Sequence, residues 1–428
     1  MYYFITYLFV LISAKGSFLY FSNIWWFFTD LMLIWVGLEK KRFDKRDLKI
    51  LGTFSAIYIG FCTFRSLFLV HLPFAYWLSD VEFLFKFILM SFIFCAVLKD
   101  KAIYYLVRVI TQLAIISIPF YFLQLLPGEI VWSIGKAINL PPHFGGDHYT
   151  NFIVFTYVKQ HHIRNSGFSW EPGAFGFFLC LALLLHLVTN NFKFDKSAKW
   201  LTLAIITTLS TTSYIALLLI VFLYYRGRGV KFSTLTILLV PILILLAVQL
   251  PFLFNKITFI YNRDSEDINN IEFLSRWYLE RGRQMPLNRF GSALYLNQLF
   301  GVNMIWGISN IYEDTVPILK TINLSNGNFM FMAKFGLIGL IFFLQRCFIL
   351  FRKYTSSIEL SLYGVLTILI LGFGESIFTI SLLMCFLFLY YYSSPEEIIE
   401  EQTDEAIQIP PVSPIHLNHN RSLLNSKS

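Results

Sequence analysis

The chain has 428 residues, of which 56% are hydrophobic, 18% aromatic and only 14% charged, and its mean hydropathy is +0.62. This composition leaves too few polar side chains to cover a water-soluble globule. We therefore predict an all-α, polytopic integral membrane protein with 11 or 12 transmembrane helices and a large outer loop, since each span needs about 20 apolar residues. We interpret the net charge of +8 as a topology signal and not as evidence for nucleic acid.

Lysine and arginine concentrate in four short loops, which the positive-inside rule places in the cytoplasm. The four loops are Glu39 to Lys49, Lys99 to Lys101, Asn190 to Lys199 and Arg226 to Lys231. The spans between them divide the chain into six predicted segments. These are N-terminal transmembrane helices over 1–126, a first outer loop over 127–171, transmembrane helices over 172–253, a large outer loop over 254–325, C-terminal transmembrane helices over 329–392, and a disordered cytoplasmic tail over 393–428.

Two stretches decide the number of spans. The first 37 residues hold one span or two, because Lys15 and Gly16 interrupt their apolar run. The stretch Trp200 to Tyr225 is predicted to be a tight hairpin of two short helices that meet at Ser210 to Ser213. Hydroxyl side chains can satisfy backbone groups where a helix in a membrane is interrupted.

The run Arg164 to Phe175 brings an arginine and Glu171 directly to the start of an apolar span. A charge at the bilayer centre costs about 2.5 to 3.5 kcal/mol on insertion scales, so insertion explains neither residue. Glu171-Pro172 fits a helix start, with proline at the first helical position and an anion at the positive end of the helix dipole. A general base or an orienting group for catalysis fits the same position equally well.

Positive charge also gathers in the predicted outer loops, where topology does not require it. Four arginines share the stretch 275–289 with a single acid, and three more basic residues lie toward the outer ends of spans. They are Arg276, Arg281, Arg283 and Arg289, then Arg65, Lys86 and Lys334. Guanidinium groups bind phosphate and carboxylate oxygens with paired donors. Together with Arg164 they predict an outward-facing cavity for an anionic, phosphate-bearing substrate, although a solvated helix face explains any single arginine equally well.

Asn326 and Asn328 lie where the last outer loop meets a span. They could donate amide hydrogen bonds to a sugar or phosphate, or they could form a simple loop-to-helix turn. Asp30 and Glu375 lie within apolar runs, so each is either functional or pairs with a basic residue to hold helices together.

We expect no metal and no other cofactor. The adjacent pair His161-His162 lacks an acid or cysteine at ligand spacing, and all five cysteines fall in apolar runs, where they predict neither a disulfide nor a thiolate site. A nucleotide-binding glycine motif is also absent from the sequence.

Several of these motifs, taken in order, resemble the O-antigen polymerase and ligase superfamily. The first is Arg164-x-Ser-Gly-Phe-x-x-Glu171-Pro-Gly at the start of a span, followed by a short-helix pair bearing Leu209-Ser-Thr-Thr-Ser213. A large outer loop with Arg276 and Arg281 comes next, then Phe300-Gly301-Val-Asn, then Asn326-Gly-Asn328-Phe-x-Phe with Gly336-Leu-Ile-Gly339. The resemblance covers roughly 164–350.

This resemblance implies a multi-pass glycosyltransferase of the bacterial inner membrane that joins repeat units carried on undecaprenyl diphosphate, without a metal or a nucleotide sugar. Its partners would be the undecaprenyl-diphosphate-linked oligosaccharide, membrane lipid and, as a further candidate, a chain-length regulator protein. By analogy, catalysis falls to Glu171, Arg276 and Arg281. Substrate binding falls to Arg164, Arg283, Arg289, Asn326, Asn328, Lys334 and Arg65.

One departure from the family pattern concerns Gly327, because the ligases tend to carry a histidine at that position. The difference favours a polymerase of O-antigen or capsule. It leaves the general base unassigned, with Glu171 as the predicted candidate and assistance by the substrate itself as the alternative. Two rival functions stay open, namely a ligase or other transferase with the same lipid donor, and a flippase or exporter of lipid-linked sugar. A flippase should carry its cationic residues at mid-membrane depth in both halves of the chain, whereas these are predicted in outer loops.

Overall fold

The computed structural model of the chain describes residues 1–138, 140, 149–231, 262–263 and 265–393. The predicted span Ser233 to Leu253, the following residues 254–261 and the predicted tail beyond Ser393 lie outside the described residues. Within the described residues the chain is mostly helical. The helices are α1 Tyr2–Ser13, α2 Phe18–Phe21, α3 Asn23–Glu39, α4 Lys45–Phe64, α5 Phe74–Phe83, α6 Met90–Leu98, α7 Ala102–Leu125, α8 Ile130–Ile138, α9 Pro172–Thr189, α10 Lys196–Thr207, α11 Thr211–Gly227, α12 Ile271–Leu279, α13 Arg289–Phe300, α14 Gly327–Thr355, α15 Ile358–Gly374, α16 Ser381–Met384 and α17 Phe386–Tyr392.

Short irregular elements connect these helices. Two π-helical turns, Arg65–Leu69 and Leu84–Leu89, continue α4 and join α5 to α6. Strand β1, Tyr149–Asn151, pairs antiparallel with β2, Thr156–Val158. Strand β3, Met285–Pro286, pairs in parallel with β4, Ile322–Asn323.

Among the described residues, four helical stretches are long and apolar enough to cross a membrane, and α1, α11 and α15 are shorter apolar helices. The four are Lys45–Leu69, Phe74–Leu125, Pro172–Thr189 and Gly327–Thr355. The longest of them contains a turn at Lys99, whose φ of +49° separates α6 from α7. The chain is a helical membrane protein.

The predicted short-helix pair is confirmed. Helices α10 and α11 are separated by only three residues, and the Ser210 hydroxyl caps α11 by accepting a hydrogen bond from the Ser213 amide at 3.4 Å. Tyr224 near the end of α11 packs against Phe194, which precedes α10, so the two helices run antiparallel. In the N-terminal stretch, Lys15 (φ +53°) lies in the break between separate helices α1 and α3.

Helix α9 forms the centre of the bundle. Its sequence is apolar on every side, and 16 of its 18 residues are buried against α7, α10, α11 and neighbouring helices. The loops that carry Lys15, Arg164 and Glu375 meet at the end where α9 begins, which we call the loop end. The basic segments before α4 and after α6 and α11 lie at the opposite end.

A buried ion pair joins several elements near the loop end. The guanidinium of Arg65 contacts the Asp80 carboxylate and donates to the Lys334 carbonyl at 2.7 Å, and both paired side chains are almost fully buried. Asp80 also accepts from the Asn310 amide at 2.7 Å, while the Lys334 ammonium donates to the Asn310 carbonyl at 2.7 Å. We call this group, with Ser309, the junction.

Helix α14 is broken where the junction contacts it. Gly336 has φ +79° and ψ 168°, and an added Cβ there would overlap the Ile305 carbonyl. Glycine therefore allows the loop before Ser309 to lie directly against the backbone of α14. The Ile308 amide donates to the Ala333 carbonyl at 2.7 Å in the same break.

We predict that Asp80→Ala destabilises the fold by about 3–5 kcal/mol, because it leaves the Arg65 guanidinium buried without its carboxylate. The double variant Arg65→Met/Asp80→Leu should lose less stability than Asp80→Ala, since it removes both charges. Thermal unfolding in detergent measures both effects. The control Glu39→Ala removes an exposed ion pair with Lys40 and should leave the melting temperature unchanged. If Asp80→Ala lowers the melting temperature no more than this control does, the prediction is wrong.

Candidate functional site

Charged side chains from remote parts of the chain converge at the loop end. We call them the charged cluster: Lys15 after α1, Arg164 and Glu171 before α9, Arg289 at the start of α13, and Glu375 after α15. Carboxylates and cations are thus grouped where the helices end and not along their lengths. Such a concentration of ionisable groups in an apolar protein is a candidate site for chemistry.

Glu171 occupies the N-cap position of α9, and Pro172 is the first helical residue as predicted. Its carboxylate does not accept a hydrogen bond from the first turn of the helix. Instead, the indole Nε1 of Trp170 donates to Glu171 Oε1 at 2.8 Å. The simple capping role therefore does not explain this glutamate, and the carboxylate is directed into the charged cluster.

Glu375 is 6% exposed and lies beside Glu171. Its Oε1 is 3.6 Å from Nη2 of Arg289, whose Nε donates to the Gly374 carbonyl at 3.0 Å. Burial raises the pKa of Glu375 well above its ordinary value, and the neighbouring Glu171 carboxyl raises it further, while Arg289 and Arg164 oppose the shift. The neighbouring Glu171 thus adds to the cost of a negative charge on Glu375.

The approach of Glu375 to α9 depends on Gly173. A Cβ added at Gly173 would overlap Glu375 Oε1. The Glu171-Pro-Gly motif therefore requires glycine at position 173, because any side chain there would occupy the space of the Glu375 carboxylate.

Lys15 supplies a cation from the break after α1. Its ammonium donates to the Ser376 carbonyl at 3.4 Å and lies 5.4 Å from the centroid of the Trp170 ring. Burial lowers the pKa of Lys15 to about 8, against the opposing attraction of Glu313, Glu171 and Glu375. A lysine so placed can bind an anion and can also exchange a proton near neutral pH.

Arg164 approaches the cluster from the loop before α9. Its Nε donates to the Thr208 carbonyl at 3.1 Å, at the turn between α10 and α11. The Gln124 side-chain amide donates to the backbone carbonyl of Arg164 at 2.9 Å. The predicted hairpin thus has a direct part in the site, because its turn holds this arginine. Asn165 reinforces the contact by donating to Thr207 Oγ1 at 2.9 Å.

The structure places the other predicted residues in different surroundings. Asn326 caps α14 by accepting from the Phe329 amide at 3.2 Å, and it donates to the Arg289 carbonyl at 3.0 Å, so it positions a cluster residue. Asn328 donates to the Leu369 carbonyl at 3.1 Å. Lys334 and Arg65 belong to the junction, where Arg65 is engaged with Asp80 in a buried pair.

The arginine-rich stretch is exposed. Arg276, Arg281 and Arg283 all face solvent around the end of α12. The Arg281 guanidinium stacks on Trp277 at 3.5 Å from the ring centroid and donates to the Trp277 carbonyl at 2.9 Å. Of the four arginines in this stretch, the structure brings only Arg289 into the charged cluster.

Sequence reasoning missed Lys15 and Asp80. Lys15 was interpreted only as an interruption between spans, and Asp80 was not singled out. Both are isolated charges within or beside apolar runs, and that signal had already marked Glu375 as either functional or paired. Glu375 proves to be paired with Arg289 and to lie beside Glu171.

Comparison of the chain with family models, with curated proteins and with solved structures finds no match.

We predict that Glu375→Gln removes a pH-dependent loss of stability. A folded-state pKa raised above the ordinary 4.5 means that the folded protein binds this proton more tightly, so wild-type stability falls as pH rises above that value. Glutamine mimics the protonated acid and should flatten this slope between about pH 5 and pH 7.5, below the range in which Lys15 titrates.

Thermal unfolding of both proteins across that pH range is the measurement. Exposed Glu280→Gln serves as the control for loss of one acidic residue and should retain the wild-type slope. A slope identical in wild type and Glu375→Gln would show that Glu375 is charged throughout.

Proposed function

We propose that this protein is a glycosyltransferase that polymerises undecaprenyl-diphosphate-linked oligosaccharide repeat units into a surface polysaccharide, at the outer face of the bacterial cytoplasmic membrane. The observation that carries the proposal is the position of Glu171. Its carboxylate leaves the cap of α9 free and lies among Lys15, Arg289 and Glu375 at the loop end. A base beside cations is the arrangement that transfer from a diphosphate donor requires.

The proposed reaction follows from those groups. A hydroxyl of the acceptor sugar attacks the anomeric carbon of the donor, and Glu171 accepts the hydroxyl proton. A new carbon–oxygen bond forms as the bond from the anomeric carbon to the diphosphate breaks, and its electron pair leaves with the diphosphate. Lys15, Arg164 and Arg289 offset the charge that develops on this leaving group.

Glu375 acts in this scheme as a neutral neighbour of the base. In its protonated form it donates a hydrogen bond to Glu171 without adding a second negative charge close to the diphosphate. Arg289 contacts Glu375 and therefore links the base to the anion-binding side of the cluster.

The proposed orientation rests on the distribution of basic residues. Lys45, Lys99 and Arg226 lie at the end opposite the charged cluster, in or beside loops that the positive-inside rule assigns to the cytoplasm. The loop end then faces outward. Helices α1, α3, α10 and α17, together with the predicted span at Ser233 to Leu253, bring the proposed number of crossings to the 11 or 12 expected.

We predict that Glu171→Gln lowers polymerisation by about 10²–10⁴-fold, the usual contribution of general acid–base catalysis. Arg289→Ala should lower it by about 10²-fold or more through loss of charge stabilisation. The assay incubates purified protein in lipid vesicles with an undecaprenyl diphosphate repeat unit and resolves the ladder of longer glycans. Glu280→Gln, an exposed acid, should retain the wild-type ladder.

The same assay separates the rival functions. Transfer of one unit to an acceptor without a polyprenyl group would indicate a ligase, and movement between leaflets without bond formation would indicate a flippase. Full ladder formation by Glu171→Gln would remove Glu171 as the base.

The exposed arginines near α12 carry a separate prediction. Arg276→Ala and Arg281→Ala should abolish the ladder, because a cationic outer segment would bind the donor diphosphate when the substrate is present. Arg228→Ala is the matched control, since it removes an exposed arginine at the opposite end. A normal ladder from both variants would leave the anion-binding role to Lys15, Arg164 and Arg289.

A further inference from the structure

A long apolar groove runs along α4 where this helix meets α14 and α17. Helix α4 is held near the loop end by the Arg65–Asp80 pair and at the opposite end by Asp47, which accepts from the Tyr392 hydroxyl at 2.7 Å. Over Lys45–Leu69 only 17% of the most apolar 18 residues are buried, compared with 89% for α9. The stretch between the two attachments forms one wall of the groove.

The groove has a volume of about 420 Å³ and lies between matching faces of α4 and α14, with α17 at its side. The rings of Phe54 and Phe342 are in contact, with centroids 6.3 Å apart, and so are those of Tyr58 and Phe335 nearer the loop end. These side chains line the groove and join α4 to α14 beside it. From Lys49 to Phe61 the wall formed by α4 extends about 18 Å at 1.5 Å per residue. That length is close to the depth of one leaflet of a hydrocarbon core about 30 Å thick.

The end of the groove away from the charged cluster is cationic. Lys49 and Arg346 line it together with the hydroxyl groups of Tyr390 and Tyr391. Arg346 donates to the Tyr390 hydroxyl at 2.6 Å and stacks on that ring and on Phe342, which fixes the guanidinium at the mouth of the groove. A guanidinium has five N–H donors, so further donors can bind an anion.

The acids of this region are already engaged. Asp44 contacts Lys99 at 3.3 Å and caps α4 by accepting from the Asp47 amide. Asp47 accepts from Tyr392 and from the Asp44 amide. Lys49 and Arg346 thus present positive charge at the end of an apolar channel as deep as a leaflet.

We propose that this groove binds one phospholipid with an anionic headgroup. An acyl chain lies along the groove beside the ring contacts of α4 and α14, and the headgroup phosphate is bound by Arg346 and Lys49. The cationic end of the groove lies opposite the charged cluster. The proposed donor would place its diphosphate in the leaflet at the charged cluster, so the bound phospholipid belongs to the opposite leaflet. The site is therefore separate from the proposed transferase site and does not depend on it.

The experiment is native mass spectrometry of the full-length protein, first as purified in mild detergent and then titrated with phosphatidylglycerol or phosphatidylcholine. Wild type should retain one phospholipid and prefer phosphatidylglycerol by about tenfold, the effect of one charge-assisted contact. Lys49→Gln/Arg346→Gln should abolish this headgroup preference. Lys45→Gln, at the same end but outside the groove, should leave it unchanged.

A second pair of variants tests the apolar channel. Ile57→Trp fills the groove from α4 and should reduce retention of both lipids, whereas Gly52→Leu adds bulk to α4 outside the groove, where it meets no neighbouring atom, and should not. Equal retention by Ile57→Trp and wild type, or the absence of any headgroup preference, would overturn the proposal. So would a photoreactive residue at position 57 that crosslinks to 232–261 and not to lipid, since the chain's own segment would then fill the groove.

Discussion

The buried pair of Arg65 and Asp80 constrains the whole loop end. Removing both charges from water is costly, so the pair depends on further hydrogen-bond partners in the protein. The Lys334 carbonyl and the Asn310 amide provide those partners, and each belongs to a different element. The pair therefore fixes α4, α5, the loop that carries Asn310 and α14 relative to one another. The break at Gly336 lets that loop contact the backbone of α14, and α14 begins at Asn326, which holds Arg289.

The charged cluster shows the same dependence between remote segments. Lys15 and Ser376 are 361 residues apart, yet they are in hydrogen-bonding contact. Glu375 reaches Glu171 because Gly173 leaves space, and it faces Arg289 because α13 starts beside the end of α15. Each charge is tolerated at this depth because others lie near it. The cluster is consequently one electrostatic unit, in which the pKa of Glu375 depends on the charges of Glu171, Arg289 and Arg164.

Local features of the fold were predictable from the sequence, whereas pairing between distant charges was not. The start of α9 at Pro172 and the α10–α11 hairpin with its Ser210 cap follow from proline geometry, hydroxyl capping and apolar length, all of which act over a few residues. The burial of Arg65 cannot be predicted in this way, because its partner Asp80 and the Lys334 carbonyl come together only in the tertiary structure. Arg276, Arg281 and Arg283 resemble Arg289 in sequence, but only Arg289 lies beside a buried carboxylate. A count of positive charges along a loop contains no such distinction.

The two interpretations of Glu171 differ in what they require of its carboxylate, and the hydrogen bond that capping requires is absent. A capping carboxylate must accept from an amide in the first turn of the helix, which would fix it against α9 and leave it a poor base. Glu171 instead accepts from the Trp170 indole, an uncharged donor that orients one oxygen. Pro172 removes one amide from that turn, which reduces the number of donors that compete for the carboxylate. The Trp170 contact thus orients the Glu171 carboxyl beside the buried Glu375, which is the placement that the proposed general base requires.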